Sequence, residues 1–77
     1  MHRLPILTSK ALVRILKNFG FQLDHTTGSH FIFYNPRTHK RTTIPYHFKD
    51  LPKGILINIL REAGISKKDL EKYQKRK

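Results

Sequence analysis

A histidine stands at the start of the segment of this chain that is best suited to form a β-strand. His30 follows Gly28 and Ser29, and a run of aromatic and β-branched residues continues from it to Tyr34. This composition predicts a strand over residues 29–34, with Gly28 turning the chain into it. Histidine is the side chain whose charge changes closest to neutral pH. A histidine fixed at a strand end can therefore accept or donate a proton on a bound ligand.

The residues around His30 each allow a structural and a chemical interpretation. His30 itself could serve in catalysis, or it could be an ordinary buried or surface histidine. Ser29 could bind a phosphate or the imidazole, or it could hold the turn, while no carboxylate is placed to complete a serine triad. Gly28 suits either a positive φ or a close approach of the backbone to a phosphate. His47 could transfer a second proton, contact a phosphate, or lie solvated in a loop beside Pro45.

Alternation along the predicted strand divides its side chains between two faces. Phe31 and Phe33 share one face, and His30, Ile32 and Tyr34 share the other. One of these sets must pack against helices, and the sequence alone leaves open which. Aromatic rings on the exposed side could stack on nucleic-acid bases.

The remaining histidines have no spacing that suggests chemistry. His2, His25 and His39 form no pair at the spacing of metal ligands on a helix, so we expect them to be surface residues. The chain also has no cysteine, which excludes disulfides and thiolate metal sites. We therefore expect neither a metal nor a cofactor.

The charge of the chain indicates its partners. Its 77 residues include 16 lysines and arginines against 5 aspartates and glutamates, a net charge of +11. Nucleic acid is then the first expected partner and an acidic protein the second. No segment suits a membrane span or a signal peptide, so we expect no membrane association and a cytoplasmic location. The candidate phosphate contacts are Lys10, Arg14, Lys17, Arg37, Lys40, Arg41, Lys49 and Lys53.

Helical spacing of apolar residues predicts two main helices. The first follows the capping hydroxyls of Thr8 and Ser9 and ends at Gly20. The second is capped by Asp50 and ends at Gly64. The apolar stripes comprise Ala11, Leu12, Ile15, Leu16 and Phe19 in the first helix and Leu56, Ile59, Leu60 and Ala63 in the second.

The order of elements predicts a single α+β domain over residues 1–77. The predicted strands cover residues 21–25, 29–34 and 41–44. They are joined by links too short for crossovers, so we expect an antiparallel sheet with both main helices on one face. A capping-box pattern at residues 66–69 predicts a short C-terminal helix, and Tyr46 should be exposed in a loop. We expect residues 1–7 to form an N-terminal arm and residues 75–77 a flexible tail.

Three blocks of residues make the chain similar to a known family. They are Lys17-Asn18-Phe19-Gly20-Phe21, Gly28-Ser29-His30-Phe31-Ile32-Phe33 and Thr43-Ile44-Pro45-Tyr46-His47, with residues 51–56 and 63–65 after them. In this order and at these spacings, over roughly residues 8–70, the blocks resemble the HicA family of toxins from bacterial and archaeal HicA–HicB toxin–antitoxin pairs.

The resemblance implies a fold, an activity and a partner. The implied fold is like that of a double-stranded-RNA-binding domain, with the order α-β-β-β-α. The implied activity is ribosome-independent cleavage of mRNA by a type II toxin, whose essential histidine matches His30. The implied partner is a HicB antitoxin that covers the active surface, and a toxin dimer within the complex is compatible with the resemblance. The chain departs from the family at Phe31, which is often polar in relatives, and in residues 1–7, which precede the usual start.

We therefore predict a metal-independent endoribonuclease, or mRNA interferase. His30 would act as general base on the 2′-hydroxyl or as general acid on the leaving 5′-oxygen, with lysines and the backbone amides near Gly28 stabilising the developing charge. Internal attack needs both an acid and a base, so His47 is a candidate for the second group. Gly28, Ser29 and Lys53 are further candidates for catalysis or RNA binding. The same fold and charge also suit a non-catalytic RNA-binding module, or a DNA-binding accessory that acts with a partner.

Overall fold

The computed structural model describes residues 6–46 and 49–75. Its elements, in chain order, are α1 (Ser9–Asn18), β1 (Gln22–Thr27), β2 (His30–Tyr34), β3 (Arg41–Pro45), α2 (Lys53–Ala63) and α3 (Lys67–Lys75). The strands form an antiparallel sheet in the order β1-β2-β3, so β2 lies in the centre. The predicted α+β class and order of elements are confirmed. None of the helices in this part of the chain has the length and apolar character needed to cross a membrane.

Both ends of α1 follow from local sequence. The Thr8 hydroxyl oxygen accepts a hydrogen bond from the backbone N–H of Ala11 at 3.0 Å, which satisfies one of the free donors of the first turn. After Phe19 the chain turns at Gly20, whose φ of 95° lies in the left-handed region that favours glycine. The predicted start and end of this helix are confirmed.

The start of α2 differs from the prediction. Asp50 does not cap the helix, because Pro52 occupies the N-cap position and no side chain bonds there. The preceding residue, Leu51, is buried and donates its N–H to the carbonyl of Leu7 at 2.7 Å. Burial of Leu51 and the fixed φ of Pro52 therefore set the start of the helix, which leaves Asp50 too far upstream to cap it. Leu7, at the end of the predicted arm, is itself buried in the core.

The predicted capping box at the start of α3 is confirmed. The Ser66 hydroxyl accepts a hydrogen bond from the N–H of Asp69 at 3.0 Å, and the Asp69 carboxylate accepts one from the N–H of Ser66 at 3.1 Å. The bonds from Ser66, the backbone one first, lower the pKa of Asp69. The cap therefore stabilises α3 at neutral pH and weakens as acid protonates this carboxylate.

The first hairpin is longer than predicted. Thr26 and Thr27 continue β1 instead of turning, because β-branched residues suit an extended strand. Only Gly28 and Ser29 make the turn, so the hairpin has a two-residue connection.

The core lies between the helices and one face of the sheet. Phe33 and Ile44 are buried on this face and pack against the apolar stripes of α1 and α2, and Phe31 packs at its edge. Both main helices therefore cover the same face, as predicted. The buried apolar residues are Leu7, Leu12, Ile15, Leu16, Phe21, Phe33, Ile44, Leu51, Leu56, Ile59, Leu60, Ala63, Ile65 and Leu70.

The other face of the sheet carries the alternate residues of β2 and their partners on the neighbouring strands. We call it the open face, because its members are exposed or half-buried and none is buried. Residues opposite each other in an antiparallel pair share a face. By the observed register, the open face comprises Gln22, His25, Thr27, His30, Ile32, Tyr34, Arg41, Thr43 and Pro45.

Asn35 links the end of α1 to the turn between β2 and β3. The residue is 3% exposed, and its Nδ2 donates to the carbonyl of Phe19 at 3.1 Å. Its Oδ1 accepts from the backbone N–H of Arg37 at 2.9 Å and of Thr38 at 3.4 Å. One buried amide thus satisfies backbone groups of two segments that are distant in sequence.

Replacing Asn35 with alanine should destabilise the domain by about 1–3 kcal/mol, because it leaves partly buried backbone groups without partners. Unfolding in urea, followed by circular dichroism, measures the change. Asn18→Ala, at an exposed position at the end of α1, is the matched control and should stay within about 0.5 kcal/mol of the parent. Equal stability of the two variants would show that the Asn35 bonds do not hold the turn.

Candidate active site

His30 lies at one end of the open face. It is the first residue of β2, it is exposed, and its register partners are Thr27 on β1 and Pro45 on β3. Strands on both sides therefore fix its backbone, while the side chain can reach solvent. This combination suits a group that acts on a ligand bound at the surface.

The turn formed by Gly28 and Ser29 leads the chain into His30. Gly28 has a φ of 55°, and a Cβ there would meet no atom within 4 Å, so the turn conformation and not crowding within the protein favours glycine. The Ser29 carbonyl accepts a hydrogen bond from the N–H of Tyr46 at 2.8 Å, which extends the pairing of β2 and β3 beyond His30. Gly28, Ser29 and His30 thus form one corner of the sheet.

An aromatic pair lies at the same end of the sheet. The rings of Phe31 and Tyr46 are stacked, with centroids 4.3 Å apart and planes inclined by 19°. Phe31 is half-buried against the core, whereas Tyr46 is 36% exposed, which confirms the prediction for Tyr46. The aromatic side chain that follows His30 therefore supports the ring of an exposed tyrosine.

Both main helices begin at the end of the sheet that carries His30. Ser9, the first residue of α1, donates its hydroxyl to the carbonyl of Pro45 at 2.7 Å. The chain enters α2 directly after Leu51, which is bonded to Leu7, just before α1. The partial positive charges of two helix N-termini are therefore directed to this end of the domain.

Lysines add full charges to the same end. Lys53 is the first residue of α2 and Lys10 lies in the first turn of α1, and both are exposed. Neither helix has an acidic residue in its first turn to neutralise them. We call this region, with Gly28, Ser29 and His30, the electropositive end. Its charge favours the binding of phosphate groups.

One candidate of the sequence, His47, lies outside the described residues, as does His2. The second group for proton transfer is therefore not placed, and the role of His47 stays a prediction. Within residues 6–46 and 49–75, no three histidine, aspartate or glutamate side chains are grouped so that they could hold a metal ion.

A second polar cluster lies at the other end of the open face. The guanidinium of Arg41 lies 4.8 Å from the centroid of the Tyr34 ring and donates to the Asp24 carboxylate at 3.1 Å. The same carboxylate oxygen lies 2.7 Å from Nδ1 of His25, and the Tyr34 hydroxyl lies 2.8 Å from Nδ1 of His39. Hydrogen bonds from His25 and Arg41 lower the pKa of Asp24, which keeps it ionised at neutral pH. We call these five residues the distal cluster.

The sequence did not predict that the five residues of the distal cluster lie together. His25 and His39 are exposed, as predicted, but the five members of the cluster come from three strands and a turn. The one signal available was strand alternation, which places Tyr34 on the face of His30. The link from Arg41 to Asp24 depends on a register shift between Leu23 and His25, which the sequence does not reveal.

Comparison with known proteins identifies a family that matches most of the chain. The family model described as the HicA toxin of bacterial toxin-antitoxin matches residues 9–65, from the start of α1 to just beyond α2. No curated protein matches the chain at a significant level. The matched region contains the whole sheet, His30 and the two main helices.

Proposed function

Because the chain belongs to the HicA family of toxins, we propose that it cleaves mRNA as a ribosome-independent, metal-independent endoribonuclease with His30 as its one essential histidine. Membership of the family makes it the toxin of a toxin–antitoxin pair, with endoribonuclease activity, an RNA target and a HicB-type antitoxin as partner. The observation that carries the finer proposal is the exposed position of His30 at the electropositive end. Its proposed site of action is the cytoplasm, where mRNA is found.

The proposed reaction is attack of the 2′-hydroxyl of RNA on the adjacent phosphorus. The 2′-oxygen loses its proton as it bonds to phosphorus, and the 5′-oxygen of the next nucleotide leaves and gains a proton. His30 would serve as the base in the first transfer or as the acid in the second. The products would be a 2′,3′-cyclic phosphate and a 5′-hydroxyl end.

Other groups at the electropositive end would bind and stabilise the reacting phosphate. The backbone N–H groups of the Gly28–Ser29 turn and the Lys53 ammonium are proposed to neutralise charge that develops on the phosphate oxygens. Ser29 is proposed to donate a hydrogen bond to the phosphate. His47, which follows Tyr46 in the chain, is proposed as the partner of His30 in proton transfer or as a phosphate contact. We further propose a type II complex with the antitoxin that contains a toxin dimer.

The purified chain should cleave a single-stranded transcript in EDTA and leave 2′,3′-cyclic phosphate and 5′-hydroxyl ends, because the proposed attack uses only the RNA and protein side chains. End labelling and mass spectrometry of the fragments identify the ends. A transcript with 2′-deoxy nucleotides at the cleavage positions is the matched control and should resist cleavage, since it lacks the nucleophile.

Three results would contradict this proposal in different ways. Products with 5′-phosphate ends would exclude internal attack. Cleavage that stops in EDTA and returns with added Mg²⁺ would show that a metal ion takes part. Tight RNA binding without cleavage under either condition would favour the non-catalytic RNA-binding module.

A further inference from the structure

We propose that the distal cluster is a base-binding subsite for single-stranded RNA, which holds a nucleotide of the same strand that is cleaved at His30. The inference rests on the proposed function of His30 and adds how the substrate lies on the protein. The proposed occupant of the subsite is a base of the RNA. The antitoxin is the alternative occupant that the experiment must exclude.

The position of the cluster supports a strand that runs along β2. His30 and Tyr34 are the two ends of this strand and lie on the same face of the sheet. The four residue steps from His30 to Tyr34 along the extended strand span roughly 13 Å, a distance that a few nucleotides of single-stranded RNA can span. Ile32 lies between them and is half-buried, so the path offers an apolar surface for a sugar or a base.

The chemistry of the cluster suits a base better than a phosphate. The Arg41 guanidinium lies over the Tyr34 ring. Arginine guanidinium groups and aromatic rings are the surfaces on which unstacked RNA bases stack. The Asp24 carboxylate beside it would repel a phosphate, but it can accept hydrogen bonds from the amino and imino groups of a base. The side chains of Arg41 and Asp24 are 52% and 43% exposed, so a ligand can reach both.

The cluster is organised before any ligand binds. The Arg41 guanidinium donates a hydrogen bond to the Asp24 carboxylate and lies over the Tyr34 ring. His39, which bonds the Tyr34 hydroxyl, has a φ of 63°, a conformation that non-glycine residues adopt only rarely. Side chains that are already ordered lose little entropy on binding, which favours affinity.

Continuity with the face that carries His30 favours RNA over a protein as the occupant, and the charge of the chain is compatible with RNA. The chain carries +11, and Asp24 is the one acidic residue among the described strands. The cluster is also continuous with the face that carries His30, so an RNA bound at the electropositive end can extend onto it.

Binding of a fluorescent RNA octanucleotide to the His30→Ala protein tests the subsite without cleavage. Tyr34→Leu combined with Arg41→Ala should weaken binding roughly 5- to 150-fold, the loss that corresponds to one stacked base. Arg37→Ala removes the same charge from the exposed turn before β3 and is the matched control. Arg37→Ala should lose less RNA affinity, and this loss should disappear at high salt. The loss of affinity in the double variant should persist at high salt, because stacking does not depend on counterion release.

Octanucleotides in which each base in turn is replaced by an abasic site identify the base that occupies the subsite. Removing one particular base should weaken binding to the parent and have little effect on binding to the cluster variant, because the partner of that base is already absent. If the double variant lowers the folded fraction, as measured by thermal unfolding, Arg41→Ala alone repeats both comparisons, since Arg41 is exposed.

Equal loss in Arg37→Ala and the cluster variant at every salt concentration would overturn the subsite, because only charge would then matter. Unchanged RNA binding together with weakened antitoxin binding would assign the cluster to the antitoxin and overturn the proposal as well. Failure of the subsite appears in the RNA-binding measurements, whereas failure of the proposed function appears in cleavage assays, as a parent that does not cleave or as a His30→Ala protein that still does, so the two are distinguishable.

Discussion

A HicB-type antitoxin should abolish cleavage when it is added in near-equimolar amount, the point at which every toxin chain is covered. We expect it to bind the electropositive end and to remove His30 from solvent, because complementary charge gives fast and specific capture of a +11 chain. Titration of cleavage activity against antitoxin measures the stoichiometry. Chemical modification of histidines, mapped by mass spectrometry, measures whether His30 becomes protected in the complex.

Reversing the charge of single lysines tests where the antitoxin binds on the toxin. Lys53→Glu should slow association with the antitoxin, because Lys53 lies at the electropositive end. Lys72→Glu is the matched control on α3, which packs through Tyr73 against Phe19 at the far end of α1, and it should have a smaller effect. A stable complex that keeps full ribonuclease activity would contradict this account, since the antitoxin would then act elsewhere on the toxin.

Local sequence rules were sufficient for most of the helices. The apolar stripes of α1 and α2, the Thr8 cap and the Ser66–Asp69 capping box depend on residues a few positions apart, and the structure confirms them. The Asp50 cap failed because a long-range contact, the bond between Leu51 and Leu7, fixes the chain just before α2. Interactions of that kind depend on the tertiary fold and leave no local signal.

Strand boundaries and cross-strand contacts were harder to predict. Thr26 and Thr27 suit both a turn and a strand, and pairing with β2 decides for the strand. The sequence also left open which face of β2 meets the helices, until the burial of Phe33 settled it. To predict the distal cluster, one must know both which face of β2 is buried and the register of the three strands. The sequence gives neither of these, so the cluster could not be predicted.

The candidate site was predicted only in part. The Gly28-Ser29-His30 signature is contiguous in sequence, so its location at a strand entry followed directly. The convergence of two helix N-termini on the same end depends on how α1 and α2 pack, for which the bond from Ser9 to Pro45 is the evidence in the structure. The role of each of these residues in catalysis stays a proposal that mutagenesis must test.

The single-turnover cleavage rate of His30→Ala tests the central claim most directly. We expect a loss of about 10²–10⁴-fold, the usual contribution of a general acid or base, with the thermal stability of the parent retained because His30 is exposed and outside the core. Asn58→Ala, at an exposed position on α2, is the control and should cleave at the parental rate. A folded His30→Ala protein that cleaves RNA within a few-fold of the parental rate would contradict the assignment of His30 as the catalytic residue.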